Sequence, residues 1–162
     1  MTAPQLSDIY NFLAVSDDLG TAGQPTTEQL AAVKAAGYDV VINLALGTTP
    51  RDLPNEADLV TGQGMDYIHI PVIFDNPTDA DLSRFFNAMD ENQDKKRFVH
   101  CIANMRVSAF VFLYRVLRQG MAPDEARAMM QKIWQPNAVW QQFIDERLAQ
   151  RHTEGATDPA RQ

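Results

Sequence analysis

The strongest constraint on this chain is the regular exchange of two hydrophobic periods. Three short runs, YDVVINLAL, MDYIHIPVI and KRFVHC, are apolar and β-branched at successive positions, the pattern of strands covered on both faces. Stretches with helical spacing lie between and after them. EQLAAVKAA follows Thr26 and Thr27, either of which can cap it with Gln29 or Glu28 in reach, and it stops at Gly37. Further helices are expected over 55–61 behind Pro54, over 79–92 with acids in the first turn, and over 104–117, 123–134 and 137–149. Residues 9–15 read as a short strand or hairpin, and SDDLGTAGQP reads as a turn-rich loop. Strands alternating with helices in this way predict an α/β fold, a mostly parallel central sheet of about four to five strands flanked by helices.

A length of 162 residues fits one domain, expected over 1–150, with 151–162 a polar, frayed tail. The net charge of −7 and pI near 4.8 disfavour nucleic acid and anionic membranes as partners. No apolar run reaches the length of a membrane span, and the first fifteen residues lack the basic and apolar regions of a secretory signal, so a cytoplasmic protein is expected. Its one cysteine, Cys101, cannot form an internal disulfide and is either core filler or a reactive thiol.

The segment RFVHCIANMRVSAFVFLYRVL bears on that choice. A buried strand delivers Cys101 to a short loop of Ile102, Ala103, Asn104 and Met105, and Arg106 follows in the first turn of a helix that is apolar nearly all round. The open N–H groups of a helix N-terminus attract anions. An unperturbed thiol, with a pKa of about 8.5, is mostly protonated at neutral pH, so a positive setting is needed to activate it. Arg106 is electrostatically misplaced in a first helical turn unless an anion accompanies it. Core filler and a guanidinium paired with a carboxylate remain the plain alternative. The conjunction of strand, Cys, short loop, Arg and buried helix favours oxyanion binding over it.

These residues resemble the cysteine-dependent phosphatases of the tyrosine and dual-specificity type, whose signature is His-Cys, five residues, Arg, then Ser or Thr. The sequence looks most like the small bacterial branch called phosphatase-like or beta-lactamase-hydrolase-associated, in which the loop is one residue shorter. The resemblance runs from AGQPTTEQL through VVINL and YIHIPV to VHCIANMRVSAF. It implies that Cys101 attacks phosphorus to give a phosphocysteine, that Arg106 clamps the equatorial oxygens and that His100 orders the loop and activates the thiol. It also implies a leaving-group acid on the FDNPT loop, for which Asp75 is nominated, with Asp79 and Asp81 as rivals. Ile102, Ala103, Asn104, Met105, Ser108 and Gln24 would line or support the substrate site, Ser108 assisting the sulfur as it leaves. Such an enzyme needs no metal or other cofactor, and its partner would be a phosphorylated small molecule or phosphoprotein.

The pattern departs from the signature in three ways. Only four residues separate Cys101 from Arg106, whereas Ser108 keeps its place at seven from the cysteine and Val107 stands where Arg is expected. A six-residue loop resembles that of rhodanese-type sulfurtransferases, so a persulfide carrier at Cys101 is one alternative and a catalytically silent oxyanion-binding module another. Finally, the loop holds no glycine, and Ala45-Leu46 stand where relatives often carry a basic residue. Trp134 and Trp140, flanking Pro136, are read as packing residues.

Overall fold

The computed structural model describes residues 5–157. After a 3-10 turn at Leu6–Asp8 the chain forms a hairpin of β1 (Leu13–Ser16) and β2 (Leu19–Ala22). Then come α1 (Thr27–Ala35), β3 (Val40–Asn43), α2 (Glu56–Gly62), β4 (Asp66–His69), α3 (Asp79–Glu91), β5 (Arg97–His100), α4 (Met105–Leu117), α5 (Pro123–Met130) and α6 (Ala138–Thr157). The α/β reading holds: five strands lie in the order β1-β2-β5-β3-β4, parallel except for the β1–β2 hairpin.

Local chemistry accounts for several boundaries. Thr26 accepts the Gln29 backbone N–H while the Gln29 side chain returns to the Thr26 N–H, a reciprocal cap that starts α1. Gly37 ends it with a φ of 97°, a conformation open to glycine. Thr78 caps α3 in one direction only, its hydroxyl accepting the Asp81 N–H.

Three elements differ from the sequence expectation. The stretch expected as loop contains β2, buried at every position. Its Gly20 lies so close beneath Tyr38 that a Cβ would stand 2.3 Å from the phenol oxygen, so the glycine serves packing rather than a turn. Helix α5 ends at Met130, four residues early, because Lys132 and Ile133 bond back to Met129 and Met130 in the tighter i−3 pattern ahead of Pro136. Helix α6 runs past the expected stop to Thr157, so the predicted tail is helical through that residue; 158–162 lie outside the described residues.

Alternation along the strands sends side chains to two cores. Val40, Ile42, Val99 and Cys101 share one with Phe85, Phe110, Met130 and Trp140 of α3, α4, α5 and α6. Val41 and Phe98 share the other with Leu30, Val33 and Val60 of α1 and α2. In the register, Ala22 and Asn43 both pair with His100, and Asn43 pairs with His69, so the parallel strands finish level with one another. The loop after central β5 therefore emerges at the carboxyl rim of the sheet, where open α/β folds bind ligands. Among the described residues no helix is long and apolar enough to cross a membrane.

Candidate active site

The loop from Cys101 to Arg106 is fixed from outside by backbone and amide contacts. The Ile102 carbonyl accepts from the Gln24 N–H at 3.0 Å, and the Ala103 carbonyl accepts from the Asn11 side-chain amide at 3.0 Å. A trans peptide points its N–H opposite its carbonyl, so the Ala103 N–H faces away from Gln24. Asn104 adopts φ 66°, supplying the left-handed residue for which the sequence offers no glycine here. It is fully buried, and its amide donates to the Asn11 carbonyl at 2.9 Å and to Thr21 Oγ1 at 3.0 Å. The first helical bond of α4 runs from the Ser108 N–H to the Asn104 carbonyl. Helix geometry leaves the N–H groups just ahead of Ser108 without helical acceptors.

Close approach also fixes the loop. Gly23 forms a bridge with Ala103, and a Cβ on it would stand 2.4 Å from the Ile102 carbonyl oxygen and 3.0 Å from that of Tyr10. Both neighbours are backbone and cannot rotate aside. Gly23→Ala is therefore expected to destabilise the fold by about 1–3 kcal/mol through overpacking, read as a lower urea midpoint with an unchanged slope. An unchanged midpoint would mean that the loop is not held in this way.

Cys101 is 1% exposed and belongs to the core on the α3–α6 side of the sheet, together with Val72 and Val107. Arg106, 8% exposed, donates from Nη1 to the Val72 carbonyl at 2.8 Å, and its guanidinium carbon lies 6.0 Å from the Phe74 ring centre. Both residues thus sit on one side of the sheet. Among the described residues Arg106 forms no ion pair with a carboxylate.

The segment carrying Asp75 is pinned at two points just ahead of the acid. Val72 is held by Arg106, and the Phe74 carbonyl accepts from Trp140 Nε1 at 2.7 Å. Trp140, fully buried, is thus a packing residue that also anchors this segment. Asp75 itself is exposed. Its rivals are engaged in the architecture of α3: Asp79 pairs with Arg147, and Asp81 pairs with Arg84 at 2.6 Å.

His100 points to the opposite face from Cys101. Its Nδ1 lies 3.2 Å from the Cys101 carbonyl oxygen and its Nε2 lies 2.7 Å from Glu56 Oε2. Glu56 Oε1 accepts from Gln24 Nε2 at 2.7 Å, and Asn43 donates to the Tyr67 oxygen at 3.0 Å. Burial alone would raise the Glu56 carboxyl. The His100 hydrogen bond and charge, with the Gln24 and Tyr67 donors, outweigh it and hold that carboxyl below the usual glutamate value. Burial first, and then the Glu56 charge, pushes the Tyr67 phenol up to about 12, against the pull of the Asn43 amide. Glu56, Tyr67 and Asn43 escape sequence reasoning because Glu56 reads as a first-turn acid of a short helix and the others as strand residues.

Ser108 donates its hydroxyl to the Met105 carbonyl at 2.9 Å and lines a small apolar cavity with Leu13, Val15 and Phe112. That placement directs it toward the hairpin. Ile102 and Met105 are half-buried at the rim, and Leu46 and Ile73, exposed, follow β3 and β4 at the same end of the sheet. Arg51 stacks on Tyr10 at 4.8 Å, beside Gly23, and brings a cation toward the loop from a part of the chain other than Ala45-Leu46.

A family model described as DSP-PTPase phosphatase fused to NAD+ Kinase matches residues 2–151. The chain belongs to this family. A candidate phosphatase (DUF442) from Shewanella putrefaciens CN-32 has the same fold, with 39% identity and a TM-score of 0.81 over 90% of this chain and 95% of that one. PTPMT1 shares the fold alone, at 17% identity and a TM-score of 0.74 over 91% of this chain and 99% of that one. The Beta-lactamase hydrolase-like protein of Xylella fastidiosa is 29% identical over 118 residues, 71% of this chain. The chain spans 27% of that relative's length. The family and the fold are thus those of the phosphatases that the His-Cys to Arg element resembles, with the branch as expected.

Proposed function

We propose that this member of the phosphatase family hydrolyses phosphate monoesters through a phosphocysteine on Cys101. The observation that carries the reading is Arg106: a nearly buried guanidinium with no carboxylate partner among the described residues, at the N-terminus of α4 beside the Cys101 loop. A cation there raises the cost of an already positive helix end, and a bound oxyanion removes that cost. In the first stage the Cys101 thiolate forms a bond to phosphorus as the ester P–O bond breaks, and Asp75 protonates the departing alcohol oxygen. In the second, water attacks phosphorus, the P–S bond breaks, and the Asp75 carboxylate takes the proton of that water. Arg106 and loop amides supply the positive field, so the chemistry calls for no metal.

The apolar rim of Ile102, Met105, Leu46 and Ile73 favours a monoester with an aromatic or alkyl group over a polyphosphate. TpbA of P. aeruginosa, of the same fold at 16% identity, has been crystallised with pTyr. The short Cys-to-Arg loop favours one second reading, sulfur transfer through a Cys101 persulfide.

One pair of assays separates them. Aryl phosphate hydrolysis accompanied by one phosphoryl group trapped on Cys101 by acid quench and mass spectrometry is the expected result. Thiocyanate formation from thiosulfate and cyanide without phosphate release would replace it with the sulfurtransferase reading. Phosphate binding with neither activity would leave an oxyanion-binding module.

A further inference from the structure

We infer that Glu56 is a positioning residue that holds His100 doubly protonated, so that a fixed cation stands behind the Cys101 peptide. The inference rests on the reading of Cys101 as a thiolate nucleophile and assigns a role to a residue 44 positions upstream of His100.

Hydrogen-bond chemistry carries the argument. The Cys101 carbonyl oxygen has no proton to give, so the 3.2 Å contact requires a proton on His100 Nδ1. At Nε2 the partner is Glu56 Oε2, at 2.7 Å. That carboxylate is surrounded by donors, with Gln24 on its other oxygen and the Tyr67 phenol beside it. A carboxyl group taking this many hydrogen bonds is ionised, and an ionised carboxylate only accepts. Both ring nitrogens therefore donate, which is the imidazolium. The remaining groups facing the pair are Asn43 on β3, which donates to Tyr67, and Asp52, whose charge acts on Tyr67.

The orientation of the pair matters more than its presence. Glu56, 5% exposed, and His100, fully buried, form an ion pair inside the protein, an arrangement that contributes little to stability compared with apolar packing. The positive member lies against the Cys101 peptide and the negative member lies beyond it on α2. The resulting dipole favours a negative charge on the cysteine. It reaches Cys101 through the backbone, from the face of the sheet opposite the core that holds the thiol.

Imidazole 1H–15N spectra of the wild type, with His100 assigned by His100→Gln, give the direct test. Two protonated ring nitrogens on His100 at neutral pH are expected; one bare ring nitrogen would overturn the inference. Cys101 is the sole cysteine, so thiolate absorbance, with Cys101→Ser as blank, reads the consequence. In Glu56→Gln, which keeps the side chain's shape but removes the negative charge that stabilises the imidazolium, the thiolate fraction just below neutral pH is expected to fall about tenfold. Glu56→Asp, which restores the carboxylate, should recover most of it. A Glu56→Gln protein with unchanged thiolate would overturn the inference. A wild type with doubly protonated His100 and a thiolate, yet no phosphatase activity, would sink the proposed function and leave this inference standing.

Discussion

Serine in place of Cys101 is expected to lower aryl phosphate hydrolysis by about 10⁴-fold or more, while phosphate still binds with an affinity within a few-fold of the wild type. The first half follows from the nucleophile: a hydroxyl is far harder to ionise than a thiol, and a dipole arranged to favour a thiolate falls well short of an alkoxide. Knocking out a covalent nucleophile elsewhere costs losses of about this order, and the residual rate comes from oxyanion stabilisation and binding alone. The second half follows from packing. Oxygen is smaller than sulfur, and the binding groups assigned to the anion are Arg106 and backbone amides, which the substitution leaves in place. Single-turnover rates together with phosphate titration by calorimetry check both halves. Hydrolysis surviving in the serine variant would remove Cys101 from the chemistry; loss of binding along with activity would show that the fold of the loop had failed instead.

How far such a site can be read from sequence depends on whether its parts are local. The strand that delivers Cys101, the four-residue loop and the buried helix behind it are contiguous, and their hydrophobic pattern and spacing show in a linear reading. The cap at Thr26 and the stop at Gly37 are also local and appear where expected. Strand β2 is different. Its composition, Leu-Gly-Thr-Ala after two aspartates, carries the signature of a turn, and it is a strand because β5 pairs with it and Tyr38 covers it. Glu56 is the more instructive case. Nothing near it in sequence marks it as more than an acid at a helix start; only the parallel crossover that sets β5 beside β3 brings His100 to its carboxylate. The Asn104 turn lies between these cases. Asparagine tolerates left-handed backbone, so a loop that looks short of glycine has its reversal residue after all.

The same reasoning bears on the acid. Asp75, Asp79 and Asp81 are indistinguishable by residue type and spacing. Ion pairs with Arg147 and Arg84 occupy the latter two. Asp75 follows a residue whose carbonyl is fixed by Trp140, on a segment whose Val72 carbonyl is fixed by Arg106. Its exposure fits a group that must exchange protons with solvent between the two stages. In the proposed mechanism the clamp and the acid are therefore coupled mechanically, since the guanidinium proposed to bind the anion also holds the segment that carries the proposed acid.

That coupling sets the size of the Arg106 effect. Arg106→Ala is expected to reduce kcat/KM by about 10³-fold, the scale of losing a principal oxyanion donor together with the placement of the acid. Arg106→Lys keeps the charge yet is expected to weaken phosphate or vanadate binding more than about tenfold, because an ammonium cannot bond the Val72 carbonyl and grip two anion oxygens as a planar fork does. Stability should move the other way. In the wild type without anion, a nearly buried cation sits at the positive end of α4 with no carboxylate partner among the described residues, so Arg106→Leu is expected to raise the melting temperature of the ligand-free protein. Added phosphate should raise the melting temperature of the wild type and not that of the leucine variant, since only the wild type gains from binding. Opposite signs for stability and activity at one position distinguish a residue kept for its ligand from one kept for its fold. A leucine variant that is less stable without phosphate, or a lysine variant that binds it as tightly as the wild type, would place Arg106 among the structural residues.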